Sequence, residues 1–305
     1  MRKEFLLVPL FVVLFLAVPG QSQTAGRARE QERSNFGAEQ ILARELFSSL
    51  PGQLSQNVQS DQESYCQTIS ATNSQNASLR SICEFAISLR DKLPKFICEE
   101  SITRYKFTVG EPEVPLDVIA AEVTFEHGHD SYAKIKLNRK RTGRPMSELS
   151  GMSSVGEFGG LLQAIFTPLS ATEFESKKED KLRSKPALVF AFRVAMRNNK
   201  SWWLRLRGTV VFPGYDGVLW LDKSTSQLLR MEVRASEMPT GFPDAEVTTT
   251  VDYVDLQFSN GSKFPLPVKS ETDIRFHGAP RLFRNKLTFT DCHEFGVTHR
   301  VLPGL

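Results

Sequence analysis

The stretch Gly214–Val233, GYDGVLWLDKSTSQLLRMEV, decides the fold. Two runs with strand character, Val218–Leu221 and Leu228–Ala235, flank the polar segment Asp222–Gln227. An Asp at the start of such a segment accepts hydrogen bonds from backbone N–H groups two or three residues ahead. The stretch therefore predicts two antiparallel strands joined by a loop of about four to six residues. A wet hairpin tip is a poor place to tune a catalytic pKa, so we interpret Asp222 as a turn residue.

The period of two in this hairpin recurs over most of the chain. Within 246–258, Val247, Thr249, Val251 and Tyr253 share one face, and Val254 begins a pattern one residue out of phase. Such a slip predicts a bulge or a sharp curl within the strand. By the same pattern we predict strands at 96–109, 121–127, 131–138, 187–196, 203–212, 218–221, 228–235, 246–258, 264–276 and 285–297, with a charged exposed link at 175–186.

Two segments have the spacing of amphipathic helices. The first, from about 77 to 92, carries one apolar face, formed by Leu79, Ile82, Cys83, Ala86 and Leu89. The second follows the Ser154–Glu157 pair of a capping box and carries Phe158, Leu161, Leu162, Ile165 and Phe166. Its adjacent Gly159 and Gly160 each cost roughly 1 kcal/mol in a helix. We expect close packing against a sheet or over a cavity mouth to compensate.

This order of elements predicts an α+β fold. We expect a large curved antiparallel sheet, an unclosed β-barrel, with helices on its concave face and a short helical region before it. The predicted domains are a signal peptide at 1–23, a polar, partly helical segment at 24–76 and the half-barrel domain at 77–305. The signal peptide follows from Arg2 and Lys3 before the apolar run Leu6–Val18, which is short of the ~20 residues of a spanning helix. We therefore expect a periplasmic or secreted protein.

The charge of the chain is nearly balanced, at a formal +3. Such a balance does not favour nucleic-acid binding, which uses strongly basic surfaces. The run Lys134–Arg144 is a local basic cluster. It is interpreted either as a solvated strand end and loop, or as a contact for anionic headgroups or an acidic partner.

The four cysteines are Cys66, Cys83, Cys98 and Cys292, and none forms a C-x-x-C pair. An even number in an exported chain favours disulfides over zinc. Of the three possible pairings we favour Cys66–Cys83, which closes a local loop, together with Cys98–Cys292, which joins the first and last strands of the main domain.

The polar residues of the types used in catalysis do not assemble into a known arrangement. The segment Gly151–Gly156 misses the nucleophile-elbow spacing by one residue. His127 and His129 flank a glycine turn, and His277 and His293 have no supporting motif. Glu99 and Glu100 are adjacent on a strand and point to opposite faces. We predict no catalytic residue, metal or cofactor. Formal glycosylation sequons begin at Asn76, Asn199 and Asn260.

The hairpin also resembles a motif of a known superfamily. Trp220, Asp222, Thr225 and Arg230 match the W-x-D-x-x-T-x-x-x-x-R hairpin of periplasmic lipoprotein carriers of the LolA/LolB type. The resemblance covers roughly 93–297 and extends to exported bacterial proteins of the same general fold, through 93–98, 157–160, 264–267 and 292–295. It implies an unclosed β-barrel covered by helices, with an apolar cavity that shields acyl chains.

The function expected from these observations is non-enzymatic binding of a lipid, an acyl chain or another apolar ligand in a half-barrel cavity. The predicted lining residues are Phe158, Leu161, Leu162, Ile165 and Phe166 from the second helix and Trp220, Leu229 and Met231 from the hairpin. In the alternative, the 22 Phe fill the core. The protein is then an interaction or sensor module that docks an envelope partner. Peripheral membrane contact is compatible with both, and nucleic acid with neither.

Overall fold

The computed structural model describes residues 64–69, 71–72, 76–93, 96–126, 129–149, 151, 155–206, 209–242, 245–257 and 263–294. The predicted signal peptide at 1–23 lies outside the described residues, as does the polar segment up to residue 63. The same holds for Ser154, His127 and Asn260.

One large sheet dominates the described residues. It contains thirteen strands in the order β1-β6-β8-β11-β12-β13-β14-β15-β2-β3-β4-β5, with β7 beside β8. All pairs are antiparallel except β1 with β6, and the two ends of the order do not pair, so the barrel is not closed. The strands are β1 (Ala71–Thr72), β2 (Phe96–Thr108), β3 (Val114–Glu126), β4 (His129–Leu137), β5 (Lys140–Arg141), β6 (Glu173–Ser176), β7 (Asp180–Leu182), β8 (Lys185–Val194), β9 (Leu204–Leu206), β10 (Thr209–Val211), β11 (Gly214–Asp222), β12 (Leu228–Glu237), β13 (Ala245–Gln257), β14 (Lys263–Phe276) and β15 (Arg281–Glu294).

Two strand predictions need correction. The segment 203–212 is not one strand, because β9 and β10 pair with each other as a separate hairpin. The segment 175–186 is not only an exposed link, since it contains β7 and the end of β6, where Ser176 is buried opposite Phe190. Strands of three or four residues are too short for a period of two to reveal them among charged residues.

Helix α1 (Asn76–Lys92) packs through the apolar face predicted for it, with Leu79, Ile82, Cys83, Ala86 and Leu89 all buried. Residues 64–68 are also helical. Single 3₁₀ turns lie at Met146–Glu148, Pro168–Ser170 and Met196–Asn198. Among the described helices, none is both long and apolar enough to cross a membrane.

Helix α2 (Gly160–Ile165) is shorter than the capping box predicted. Its N-cap residue is Gly159, which makes no side-chain capping hydrogen bond. The predicted capping box stays a prediction, because Ser154 lies outside the described residues. Glu157 is buried and accepts a hydrogen bond from Thr272 on β14 at 3.5 Å. This contact ties the segment before α2 to β14.

We call the sheet face that contacts the two helices the inner face and the opposite one the outer face. Phe289 on β15 marks the inner face, because its ring lies 5.8 Å from that of Phe158 just before α2. The predicted slip in β13 is confirmed as a register shift between Asp252 and Tyr253. It keeps Val251, Asp252 and Tyr253 all buried, whereas a regular strand would turn every second residue outward.

Both favoured disulfides are confirmed. Cys66–Cys83 ties the helical residues 64–68 to α1, and Cys98–Cys292 ties β2 to β15. The second bridge spans a sequence separation of 194 residues and joins neighbouring strands. It therefore fixes the centre of the sheet on which the buried polar groups described below are arranged.

Candidate functional site

Apolar side chains fill the space between α2 and the inner face. Phe158, Leu161, Leu162, Ile165 and Phe166, predicted to line a cavity, are all buried within one cluster that also includes Met231. A half-open pocket of about 150 Å³ lies at the edge of this region, between α1 and α2, lined by Ala86, Ile87, Gly160, Gln163, Ala164, Phe166, Thr167 and Ser201. Drug-sized ligands occupy pockets of about 300–1,000 Å³, so this one holds only a small group.

The three hairpin residues predicted to line the cavity do not share one face. Met231 is buried on the inner face opposite Leu219. Trp220 lies opposite Arg230 and alternates with the buried Leu219 and Leu221, so its side chain points to the outer face. Leu229 lies at the register shift between Trp220 and Leu221 and is half-buried. Of the three, Met231 alone reaches the apolar cluster beneath α2.

A carboxylate lies within this apolar surface. Glu100 on β2 faces the same way as its cross-strand neighbour Phe289, on the inner face, and only 1% of its surface is exposed. Among the described residues, neither of its carboxylate oxygens has a hydrogen-bond partner. Burial raises the pKa of Glu100 well above its usual value, and the nearby charges of Glu157 and Asp130 raise it further.

Asp130 on β4 holds the start of helix α2. Its two carboxylate oxygens accept hydrogen bonds from the backbone N–H groups of Phe158 at 2.9 Å, Gly159 at 3.1 Å and Gly160 at 3.3 Å. Burial raises the pKa of Asp130 to about 6, although these hydrogen bonds act in the opposite direction. A group on the edge side of the sheet therefore supplies the cap that the helix lacks in its own sequence.

A glycine permits this close approach of α2 to the sheet. A Cβ atom at Gly159 would lie 2.5 Å from a methyl carbon of Leu93 and 2.9 Å from the ring of Phe125. At Gly159, the close packing against the sheet that the sequence predicted explains why a residue unfavourable for a helix stands here.

Two tyrosine hydroxyl groups lie near these carboxylates, that of Tyr132 near Glu100, Asp130 and Glu157, and that of Tyr253 near Asp130 and Glu157. Among the described residues, the hydroxyl oxygens of Tyr132, Tyr253 and Ser270 are buried without a hydrogen-bond partner. Burial raises the pKa of both phenols, and the negative charges of Asp130 and Glu157 raise them further. We call Glu100, Asp130, Glu157, Tyr132, Tyr253 and Ser270 the buried polar cluster. It offers several acceptors and three hydroxyl groups inside an otherwise apolar interface.

The hairpin loop is the turn that the sequence predicted. Oδ1 of Asp222 accepts hydrogen bonds from the Ser224 hydroxyl at 2.6 Å and from the backbone N–H groups of Ser224 and Thr225 at 2.9 and 3.2 Å. The bond from the Ser224 hydroxyl is the main cause of the lowered pKa of Asp222. Lys223 pairs with Glu179, so the polar residues of this loop are occupied by structural contacts.

The remaining candidates are apart from the buried polar cluster. His277 and His293 are both exposed or half-exposed at strand ends, and Cys292 is in a disulfide. Asn199 is buried, and its side-chain amide donates hydrogen bonds to the carbonyls of Trp202 and Pro213. The side chain of this sequon residue therefore has a structural role. Within the described part of the chain, no three His, Cys, Asp or Glu side chains converge closely enough to hold a metal ion.

Sequence reasoning missed the buried polar cluster for identifiable reasons. Asp130 directly follows the glycine turn flanked by His127 and His129, where nothing in the local sequence indicates that it caps α2, 28 positions away. The sequence does mark Glu100, because this charged residue occupies an inward-facing position of β2, between Cys98 and Ile102. A charged residue at an inward strand position is a departure from pattern that marks functional or strained sites.

Comparisons with known proteins concern the fold alone. No protein-family model matches the sequence, and no curated protein matches it. Among solved structures, a LolA superfamily protein from Nitrosomonas europaea is similar at 12% identity and a TM-score of 0.37, over 74% of this chain and 97% of that one. A DUF1329 family protein from Desulfovibrio piger is similar at 6% identity and a TM-score of 0.35, over 73% of this chain and 94% of that one.

Proposed function

We propose that this protein is a non-enzymatic, exported binding protein for an amphipathic ligand. The apolar part of the ligand contacts the inner face beneath α2, and a cationic, ammonium-type group contacts Glu100. The observation that carries this proposal is the Glu100 carboxylate, which is buried without a hydrogen-bond partner among the described residues.

The chemistry of the buried polar cluster supports a cationic head group. An ionised carboxylate in an apolar interior is costly unless it is paired. Glu100, Asp130 and Glu157 are close enough for each to affect the titration of the others or of Tyr132. An ammonium group has three donors and a positive charge, and it would offset both the missing hydrogen bonds and the mutual repulsion. A carboxylate head group would add to the repulsion.

The apolar wall supports an alkyl or acyl chain attached to that head group. The side chains nearest to the buried polar cluster include Phe158 and Phe289, in ring contact, and Phe125 beside Gly159. The pocket of about 150 Å³ beside α2 marks where such a chain would enter. Because this volume is small, binding requires a shift of α2, which is six residues long and depends on Asp130 for its N-terminal hydrogen bonds.

The two disulfides support export, because structural disulfides are formed and kept in oxidising compartments such as the periplasm. A periplasmic or secreted location agrees with the signal peptide predicted from residues 1–23. Envelope lipids and lipoproteins would then be the nearest sources of an amphipathic ligand.

Native mass spectrometry of the protein purified without detergent tests this proposal. We expect a population with a bound small amphiphile that contains an amine, released on denaturation and identified after solvent extraction. Glu100→Gln keeps the side-chain volume and removes the charge, so it should recover much less of the same compound, whereas the exposed Glu99→Gln should behave as the wild type. Repeated recovery of empty wild-type protein contradicts the proposal.

A second candidate function follows from the filled inner face. If Phe158, Leu162 and Phe166 never leave their buried positions, the sheet serves as a rigid module that docks an envelope partner. Failure of all small amphiphiles to bind, together with capture of one protein partner at stoichiometric amounts, would favour this function.

A further inference from the structure

A second feature of the molecule lies on the β2–β3 hairpin, away from the buried polar cluster. Val109, Val114, Leu116 and Val118 are exposed to 63, 57, 54 and 38%. They are four of the seven exposed large apolar side chains among the described residues. Single exposed apolar residues are ordinary, but their concentration on one hairpin indicates a contact surface. The register places Val118 opposite Thr103 and Val114 opposite Lys106, so the apolar side chains lie on both faces at the free end of the hairpin.

Cationic side chains stand next to these apolar residues. Lys136 on β4 lies opposite Ala120 on β3, two residues from Val118, and opposite Arg141 on β5. Residues two apart on a strand share a face, so Val118, Lys136 and Arg141 are on the same face of the sheet. The turn between β4 and β5 adds Arg139, and β5 adds Lys140, both exposed. The side chain of Asn138 fixes this turn to β3 by accepting a hydrogen bond from the N–H of Val118 at 3.0 Å.

The charge of this surface is unbalanced. Within the described residues, Lys136, Arg139, Lys140 and Arg141 have no ion pair. The neighbouring carboxylates are mostly neutralised: Glu113 by Arg284 and Lys286, Asp117 by Arg104 and Glu122 by Lys134. Glu111, at the tip of the β2–β3 hairpin, is exposed and is the exception in this set. We call Val109, Val114, Leu116, Val118, Lys136, Arg139, Lys140 and Arg141 the edge surface.

We infer that the edge surface docks the protein on an anionic lipid membrane. The apolar side chains enter the boundary between headgroups and acyl chains, and the four cations contact phosphate groups. This combination of exposed apolar side chains with adjacent Lys and Arg is what peripheral contact with an anionic bilayer requires. A partner protein with a flat acidic surface would match the cations but would not explain four exposed apolar side chains on one hairpin. The inference is independent of the proposed ligand.

Co-sedimentation with lipid vesicles tests the inference. Wild-type protein should bind vesicles that contain phosphatidylglycerol, bind vesicles of phosphatidylcholine alone much more weakly, and lose binding as salt is raised. Arg139→Glu with Arg141→Glu should weaken partitioning by about tenfold or more, since each cation near an anionic surface contributes substantially. Leu116→Ser with Val118→Ser should weaken it at every salt concentration.

Matched controls keep this test decisive. Lys200→Glu and Leu169→Ser change an exposed cation and an exposed apolar residue outside the edge surface, and both should bind vesicles as the wild type does. All variants alter exposed positions, so their thermal midpoints should match the wild type. Equal binding to both kinds of vesicle, or equal loss in the control variants, would overturn the inference. So would binding to an acidic protein in the absence of any vesicle binding.

Discussion

At the scale of single residues, Glu100 is the group that distinguishes this interior from an ordinary apolar core. It occupies an inward strand position, and the groups that interact with it are Glu157 from the segment before α2 and Asp130 and Tyr132 from β4. Tyr253 from β13 in turn lies near Asp130 and Glu157. A carboxyl whose pKa is raised in the folded state binds a proton that the unfolded chain has already released. The free energy of unfolding therefore falls as pH rises above the ordinary Glu pKa of about 4.3.

The pH dependence of stability follows from this sign. Asp130, with a pKa of about 6, contributes the same effect between its ordinary value near 3.8 and about 6. We expect the thermal midpoint to decrease from pH 4.5 to pH 7.5. Below pH 4.5 the thermal midpoint should fall as the pH falls. The hydrogen bond from Lys286 lowers the pKa of Glu113, and the stabilisation that it provides is lost when Glu113 is protonated. A midpoint that rises steadily from pH 4.5 to 7.5 would contradict the burial of this cluster.

The substitution Glu100→Gln isolates the contribution of one carboxyl. It keeps the shape and places a neutral amide, whose N–H groups donate to the neighbouring carboxylates. We expect the thermal midpoint of the empty protein to rise by at least about 2 °C at pH 7.5 and to stay unchanged at pH 4.5. Glu99→Gln, on the exposed side of the same strand, should change neither value. A lower midpoint for Glu100→Gln at pH 7.5 would mean that the charge is stabilised in the folded protein.

At the scale of elements, the packing of the strands depends on the close approach of neighbouring backbones as much as on the pattern of apolar residues. Gly217 on β11 lies where a Cβ atom would be 2.0 Å from the carbonyl oxygen of Glu232 and 2.5 Å from the ring of Phe192. Gly217→Ala should lower the free energy of unfolding by about 1–3 kcal/mol or more, through overpacking. Gly143→Ala, where nothing lies within 4 Å, should stay within about 0.5 kcal/mol of the wild type. Urea denaturation measures both, and equal midpoints for the two variants would contradict the register of β11 with β12.

The disulfides differ in the length of chain they close. Cys98–Cys292 spans 194 residues and Cys66–Cys83 spans 17. In the chain-entropy description, loss of these bridges costs about 5 and about 3 kcal/mol respectively. Urea unfolding of the Cys98→Ser/Cys292→Ser pair should therefore show the larger loss, with Cys66→Ser/Cys83→Ser as the matched comparison. A larger loss for the short loop would show that local packing around α1 outweighs the entropy of the central bridge.

The elements themselves were largely predictable, and the contacts that complete them were not. The apolar face of α1, the turn at Asp222 and the slip in β13 follow from local spacing, so the sequence predicts them. Helix α2 begins at Gly160 because Asp130, far away in the chain, accepts its N–H groups. The spacing of apolar residues carries no information about a partner so distant in the chain. Trp220 faces outward because it alternates with the buried Leu219 and Leu221, which local spacing could have shown. Leu229 is displaced by the register shift in the pairing with β11, which local spacing could not show.

At the scale of the whole molecule, the sheet separates two chemistries. Its inner face carries apolar side chains with carboxylates among them, and the edge surface carries exposed apolar residues beside cations that have no ion pair within the described residues. We propose that the first binds an amphipathic ligand and that the second holds the protein at a membrane. The two proposals fail separately, because Glu100→Gln leaves the edge surface intact and Arg139→Glu/Arg141→Glu leaves the inner face intact.

A titration with three amphiphiles of equal chain length tests the central claim most directly. Dodecylamine, dodecanol and dodecanoate are added below their aggregation limits, and the thermal midpoint is followed at pH 7.5. A ligand that binds the folded state alone raises the midpoint in proportion to the logarithm of its concentration. We predict the largest rise with dodecylamine, a smaller one with dodecanol and the smallest with dodecanoate, with the advantage of dodecylamine lost in Glu100→Gln. Equal rises with all three, or no rise with any, would contradict a cation site at Glu100.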